Sequence, residues 1–105
     1  MRGFVATATM LASLCIGYAV ASEAVFSLIN ETGRDITHVY ISTPGDGVWS
    51  FDLLDMSRLL PGQETRIAIP DFEGCRANVR VRYADGRLGY WPGIDLCKVR
   101  TVRLR

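Results

Sequence analysis

An all-β fold is predicted, a small antiparallel β-sandwich of about six to seven short strands with one short helical turn and one disulfide, and three observations predict it. Cys75 to Tyr83 alternates strictly, with Cys75, Ala77, Val79, Val81 and Tyr83 on one parity and Arg76, Asn78, Arg80 and Arg82 on the other. That period marks a strand half buried against a core. Short β-prone segments recur between turn signals such as Thr32-Gly33, Pro61-Gly62 and Asp85-Gly86. Beyond the first 21 residues only two cysteines remain, Cys75 and Cys97, and they suit a single bridge.

The N-terminal segment reads as a secretory signal peptide. Arg2 precedes an uncharged apolar run from Gly3 to Val20, and Ala19-Val20-Ala21 supplies a small-x-small cleavage site, so the expected domain plan is a signal at 1–21 and one β-domain at 22–105. The alternative is a retained membrane anchor, since about 18 apolar residues can span a bilayer. Ala, Thr, Ser and Gly dilute the run and favour cleavage, after which no stable membrane insertion is expected. Leu14 stands before Cys15 where lipoprotein processing wants a small residue, so Cys15 leaves with the signal.

Of the 12 basic residues one, Arg2, lies in the leader, leaving 11 basic against 11 acidic residues. A neutral domain lacks the dense basic footprint that phosphate binding requires, so nucleic acid is not an expected partner. A chain this short buries only about 60–65% of its unfolded surface, and a covalent staple matters correspondingly more. Export to an oxidising compartment, periplasmic or secreted, would let it form.

Taken in order, Val25 to Asn30 is a first strand with Phe26 and Leu28 on one face, ended by Asn30-Glu31-Thr32-Gly33. Ile36 to Ser42 is β-branched and is expected to pair with it as a hairpin. Asn30-Glu31-Thr32 is also a glycosylation sequon. Thr43 to Gly47 is a loop by composition, and the dense apolar set Trp49, Phe51, Leu53, Leu54, Leu59 and Leu60 calls for a cover over the core. The spacing about Asp52 to Met56 suits a short helical turn capped by Ser50 or Asp52. Thr65 to Ile69 is a strand, and Pro70 to Gly74 crosses to the Cys75 strand.

Asp85-Gly86 has the chemistry of a two-residue type I′ turn. With that loop Tyr83 faces Leu88 and Val81 faces Tyr90 inside, while Arg80 faces Trp91 outside as a cation–π pair. Pro92-Gly93 then ends the returning strand, and Cys97 comes back to Cys75. Closing that loop removes unfolded-state entropy worth about 3 kcal/mol. From Lys98 to Arg105 the parity breaks, with Cys97 and Val99 on one face and Val102 and Leu104 on the other. A bulge near Arg100-Thr101 is expected to return both pairs to the core.

The order Phe26-x-Leu28-x-Asn30-x-Thr32-Gly33, Trp49-x-x-Asp52-Leu53-Leu54, Leu60-x-Gly62, Cys75, Asp85-Gly86 and Asp95-Leu96-Cys97 resembles a family of small exported bacterial proteins of uncharacterised function. The resemblance spans nearly all of the chain after the leader and implies fold and export more than activity. Members of that family are sometimes labelled argininosuccinate lyase. The sequence gives the label no support, since it has neither the lyase's Gly-Ser-Ser-x-Met-Pro-x-Lys-x-Asn loop nor its helical bulk. Where the family carries an aromatic residue and an aspartate after the first cysteine, this chain has Ala77 and Asn78, so no role of that aspartate carries over.

Residues that carry chemistry are sparse. His38 is the single histidine and sits in a predicted strand; no nucleophile elbow, zinc-protease helix, P-loop or dinucleotide fingerprint is present. Asp46, Asp52 and Asp55, or Asp71 and Glu73, are the oxygen donors available to a calcium ion. Loop carboxylates are ordinarily just solvated, and no cofactor or metal is expected. The expected function is a non-enzymatic interaction module for an unknown protein or polymer partner. Its candidate contact surface is Trp49 and Asp52 on the long loop, with Arg76, Arg80, Arg82, Arg87 and Trp91 about the hairpin. The other reading of the arginine stripe is a solvated sheet face. The alternative function is a small hydrolase or lyase that uses a carboxylate pair, Asp52 with Asp55 or Asp71 with Glu73, as acid and base.

Overall fold

A computed structural model describes residues 23–45 and 47–105. The expected signal, its cleavage site, Cys15 and Asp46 lie outside them. Six strands form: β1 (Glu23–Asn30), β2 (Ile36–Ser42), β3 (Glu64–Pro70), β4 (Arg76–Tyr83), β5 (Leu88–Asp95) and β6 (Thr101–Leu104). They make two three-stranded sheets, β3-β1-β6 and β2-β4-β5. β1 pairs antiparallel with β3 and parallel with β6, and the second sheet is antiparallel throughout. Phe26, Leu28, Ile67, Ile69, Val102 and Leu104 of the first sheet meet Val39, Ile41, Ala77, Val79, Val81 and Tyr83 of the second as one core. Period-two alternation turns one row of β1, β3, β4 and β6 inward, while register shifts interrupt it in β2 and β5.

β1 and β2 do not form the expected hairpin; they belong to different sheets. Asn30 is the cause. It shares the inward parity of Phe26 and Leu28 and is wholly buried, so its amide must be satisfied inside. Its Oδ1 accepts from the Thr32 N–H (3.0 Å) and hydroxyl (2.7 Å), and its Nδ2 donates to the Arg34 carbonyl (2.6 Å). Those bonds bend the chain across the sandwich. The same amide nitrogen donates to the Leu59 carbonyl (2.9 Å), so the sequon's acceptor is engaged inside the fold.

Among the described residues the segment between β2 and β3 contains no helix. Leu54 and Leu59 cover the core as expected, but the Asp52–Met56 stretch is a series of turns in which Asp55 and Met56 have φ of 50° and 69°. Left-handed residues in succession cannot continue a right-handed helix. Asp52 does act as a local cap, its Oδ1 accepting from the Leu54 N–H at 3.0 Å.

The β4–β5 turn is a three-residue loop, Ala84-Asp85-Gly86, rather than a two-residue one. Tyr83 donates to the Arg87 carbonyl and Gly86 to the Tyr83 carbonyl, both at 2.9 Å. A type I′ turn needs positive φ at both central residues; here Gly86 has it (89°) and Asp85 does not. The extra residue shifts the register by one, so Arg82 faces Leu88, Val81 faces Gly89, Arg80 faces Tyr90 and Val79 faces Trp91. The side chains from Leu88 to Trp91 are thereby turned over. Leu88 and Tyr90 lie outside, 58% and 56% exposed, and Trp91 packs against the core.

Two further expectations change at this end of the molecule. β5 does not stop at Pro92 but continues to Asp95, through a register shift opposite Asn78. The Asn78 side chain accepts from the Gly93 N–H at 2.9 Å, holding the strand in place where proline offers no donor. No bulge interrupts β6. The parity fault is absorbed by a turn in which Lys98 and Val99 both donate to the Asp95 carbonyl, leaving Val99 at the surface and Val102 and Leu104 in the core. The disulfide forms as expected: Cys75 and Cys97 are bonded, with Cα atoms 5.1 Å apart.

Candidate functional site: the outer face of β2-β4-β5

Alternation along β4 puts Arg76, Asn78, Arg80 and Arg82 on the outer face while Ala77, Val79, Val81 and Tyr83 fill the core. Pairing then sets neighbours beside them. One rung across the sheet is Tyr40, Arg80, Tyr90; the next is His38, Arg82, Leu88. The long loop supplies the remaining part. Residues 50–53 run beside the free edge of β2, where Ser50 and Leu53 donate to the Ile41 and Val39 carbonyls at 2.9 Å. In return the Ser50 hydroxyl and the Asp52 carboxylate accept from the Ile41 and Val39 N–H groups at 3.0 Å. The edge is closed by this exchange, and Trp49 is delivered over the sheet.

Arg80 is the centre of the assembly. Its guanidinium carbon lies 4.4 Å from the Trp49 ring centroid and 5.2 Å from that of Tyr40. Tyr90 meets Trp49 in a T-shaped contact at 6.1 Å, and His38 stacks along Tyr40 at 6.0 Å. Cation–π contacts contribute about 0.5–2 kcal/mol depending on exposure. They also fix the guanidinium plane, with its Nε buried and without a hydrogen-bond partner. A fork held this way has already lost its rotamer freedom before any ligand arrives.

The arginine stripe and the loop tryptophan, expected as separate surfaces, are thus one site. Trp49 and Arg80 are in contact, Arg82 lies on the adjoining rung, and Arg76 lies further along the same face, donating to the Gly93 carbonyl at 3.1 Å. Arg87 sits apart beside the hairpin turn in an exposed ion pair with Asp85 at 3.8 Å. Trp91 is on the opposite face, since the register shift sends it inward. Asp52 holds the loop to β2 through the Val39 and Leu54 N–H groups. Tyr40, Tyr90 and His38 were not among the expected site residues. Parity with Arg80 marks Tyr40 once β2 pairs with β4, whereas Tyr90 depends on the true length of the hairpin loop.

The candidate carboxylates lie in two places, Asp52 and Asp55 on the long loop and Asp71 and Glu73 just beyond β3. Asp71 and Glu73 line an open cavity of about 310 Å³ at one end of the sandwich, together with Trp49, Val48 and Phe72. Asp52 serves backbone donors and Asp55 is exposed. Among the described residues one cluster has metal-ligand spacing, Cys75, Asp95 and Cys97, and its two sulfurs are bonded to each other. No helix of the described residues is long and apolar enough to cross a membrane.

Fold and site together define a small disulfide-pinned β-sandwich that carries a cationic and aromatic outer sheet face. Comparison with protein-family models, curated proteins and solved structures finds no match.

Proposed function

We propose that this chain is an exported, non-enzymatic binding module, and that the outer face of β2-β4-β5 is its contact surface. The observation that carries the reading is the Arg80 guanidinium held against Trp49 and Tyr40, with Tyr90 and Leu88 exposed beside it. Trp, Tyr and Arg are the residue types that dominate binding hot spots, because each combines large apolar contact with directed polar groups at small entropic cost. Phe51, 75% exposed on the adjoining loop, adds to the apolar surface that solvent leaves uncovered. The apolar leader with its Ala19-Val20-Ala21 site and the disulfide support export to the periplasm or medium. The motif resemblance to small exported bacterial proteins agrees with that destination.

The test is capture of a partner from periplasm or culture medium by the wild-type domain and by two folded variants. Tyr90→Ala alters this face and Arg66→Glu alters the other sheet. The reading expects a partner held by wild type and Arg66→Glu and lost by Tyr90→Ala. Equal capture by all three would overturn it.

A further inference from the structure

We infer that the partner of this face is an acidic protein segment lying extended along β4, an inference that rests on the binding-module reading above. The charge at Arg80 and Arg82 is uncompensated. Arg58, Arg87, Arg103 and Arg105 each pair with a carboxylate. Arg80 and Arg82 have no ion pair among the described residues, and the rungs Ser42·Asn78, Tyr40·Arg80·Tyr90 and His38·Arg82·Leu88 contain no carboxylate, whereas Arg76 at the start of β4 stands opposite Asp95. On a domain whose formal charges sum to zero, this is a local positive field that complements an acidic ligand.

The spacing selects an extended peptide. Arg80 and Arg82 are two residues apart on one strand, about 6.6–6.8 Å along it, which is the repeat of alternate side chains in any extended chain. Carboxylates at every second position of a partner strand would meet successive guanidinium groups, and the residues between them would turn away from the sheet. A planar guanidinium accepts a carboxylate in bidentate fashion. For Arg80 the ring stack holds that plane in advance. Leu88 and Tyr90 flank the row and offer apolar contact to the partner's neighbouring side chains. An anionic polysaccharide fits less well. Sugar rings want free aromatic faces, and here the Arg80 guanidinium already lies over Tyr40 and Trp49.

The experiment measures binding of four probes to the domain Ser22–Arg105: a ten-residue peptide with glutamate at alternate positions, a peptide of the same composition with its glutamates grouped, a lysine counterpart of the first, and a soluble polyuronate. Variants are Arg82→Glu, Arg80→Lys and, as a control on the other sheet, Arg66→Glu, each checked for an intact melting transition. The expected result is saturable binding of the alternating peptide. It should be several-fold tighter than the grouped peptide, with none for the lysine peptide, and at least 10-fold weaker in Arg82→Glu and in high salt. Arg80→Lys keeps the charge but loses the planar fork, and should weaken binding several-fold. Tighter binding of the polyuronate than of either peptide, equal affinity of the two acidic peptides, insensitivity to Arg82→Glu, or no binding of any acidic probe would each overturn the inference. A captured partner that depends on Tyr90 yet is not displaced by the alternating peptide would refute the acidic segment and leave the binding module standing. Capture that ignores Tyr90 refutes the module itself.

Discussion

The amide nitrogen of Asn30 donates to the carbonyl of Leu59, 29 residues further along, at 2.9 Å in the interior. That bond ties the end of β1 to the loop that covers the core, while the other bonds of the same amide bend the chain toward β2. Asn30→Ala would remove the amide from the Arg34 and Leu59 carbonyls and from the Thr32 N–H and hydroxyl; the Leu59 carbonyl keeps the Ile36 N–H, and hydrogen-bonding groups deprived of a partner inside a fold cost about 1–3 kcal/mol. The expected loss is at least about 2 kcal/mol in a denaturant titration. A change within about 0.5 kcal/mol, the range of ordinary surface substitutions, would mean that water replaces the amide.

Cys75→Ser with Cys97→Ser should remove about 2–5 kcal/mol, a large share of what a domain this size possesses. The bridge spans 22 residues of sequence and joins the start of β4 to the turn beyond β5. Thiol counting on denatured, unreduced protein should find no free thiol in Ser22–Arg105, and reductant should lower the melting temperature sharply. Two free thiols in material recovered from an oxidising compartment would refute the bridge.

Gly89 faces inward between two rings. A Cβ there would lie 2.6 Å from the Tyr83 hydroxyl and 2.8 Å from the Trp91 ring, so Gly89→Ala forces both to move. Overpacking of this kind costs about 1–3 kcal/mol. Equilibrium unfolding checks the value, and a stabilised variant would place β5 in the other register.

Charge reversal at Arg76 and Arg82 should leave stability within about 0.5 kcal/mol, because both side chains are exposed on the outer face. Arg80→Ala should cost more, about 1–2 kcal/mol, through loss of the stack with Trp49 and Tyr40. Thermal melts of the two proteins distinguish the cases, and the reverse ranking would mean that the sheet is turned inside out.

What the sequence made legible is whatever period two and residue chemistry determine locally. β2 follows from its β-branched composition and the inner row of β4 from its alternation, and the disulfide follows from cysteine count and the returning chain. Pairing partners did not follow. Asn30 carries the same parity as Phe26 and Leu28, yet nothing short of its four hydrogen bonds tells a hairpin from a crossing between sheets. The site suffered from one residue: Asp85-Gly86 fits both a two- and a three-residue loop, and the choice decides whether Tyr90 or Trp91 stands beside Arg80. Trp49 reached the face through backbone exchange between residues 50–53 and β2, a pairing with no sequence period to announce it.

β1 lies at the middle of its sheet, with β3 on one side and β6 on the other. A nascent chain that has not yet produced Thr101–Leu104 therefore exposes one flank of β1, and Phe26 and Leu28 lack the Val102 and Leu104 side chains that complete their surroundings. The pairing joins residues about as far apart in sequence as the domain allows, and such non-local closure is slow compared with local contacts. A chain stopped before Thr101 should stay open, accessible to protease and competent to thread through a narrow channel, and should lock only once those four residues arrive.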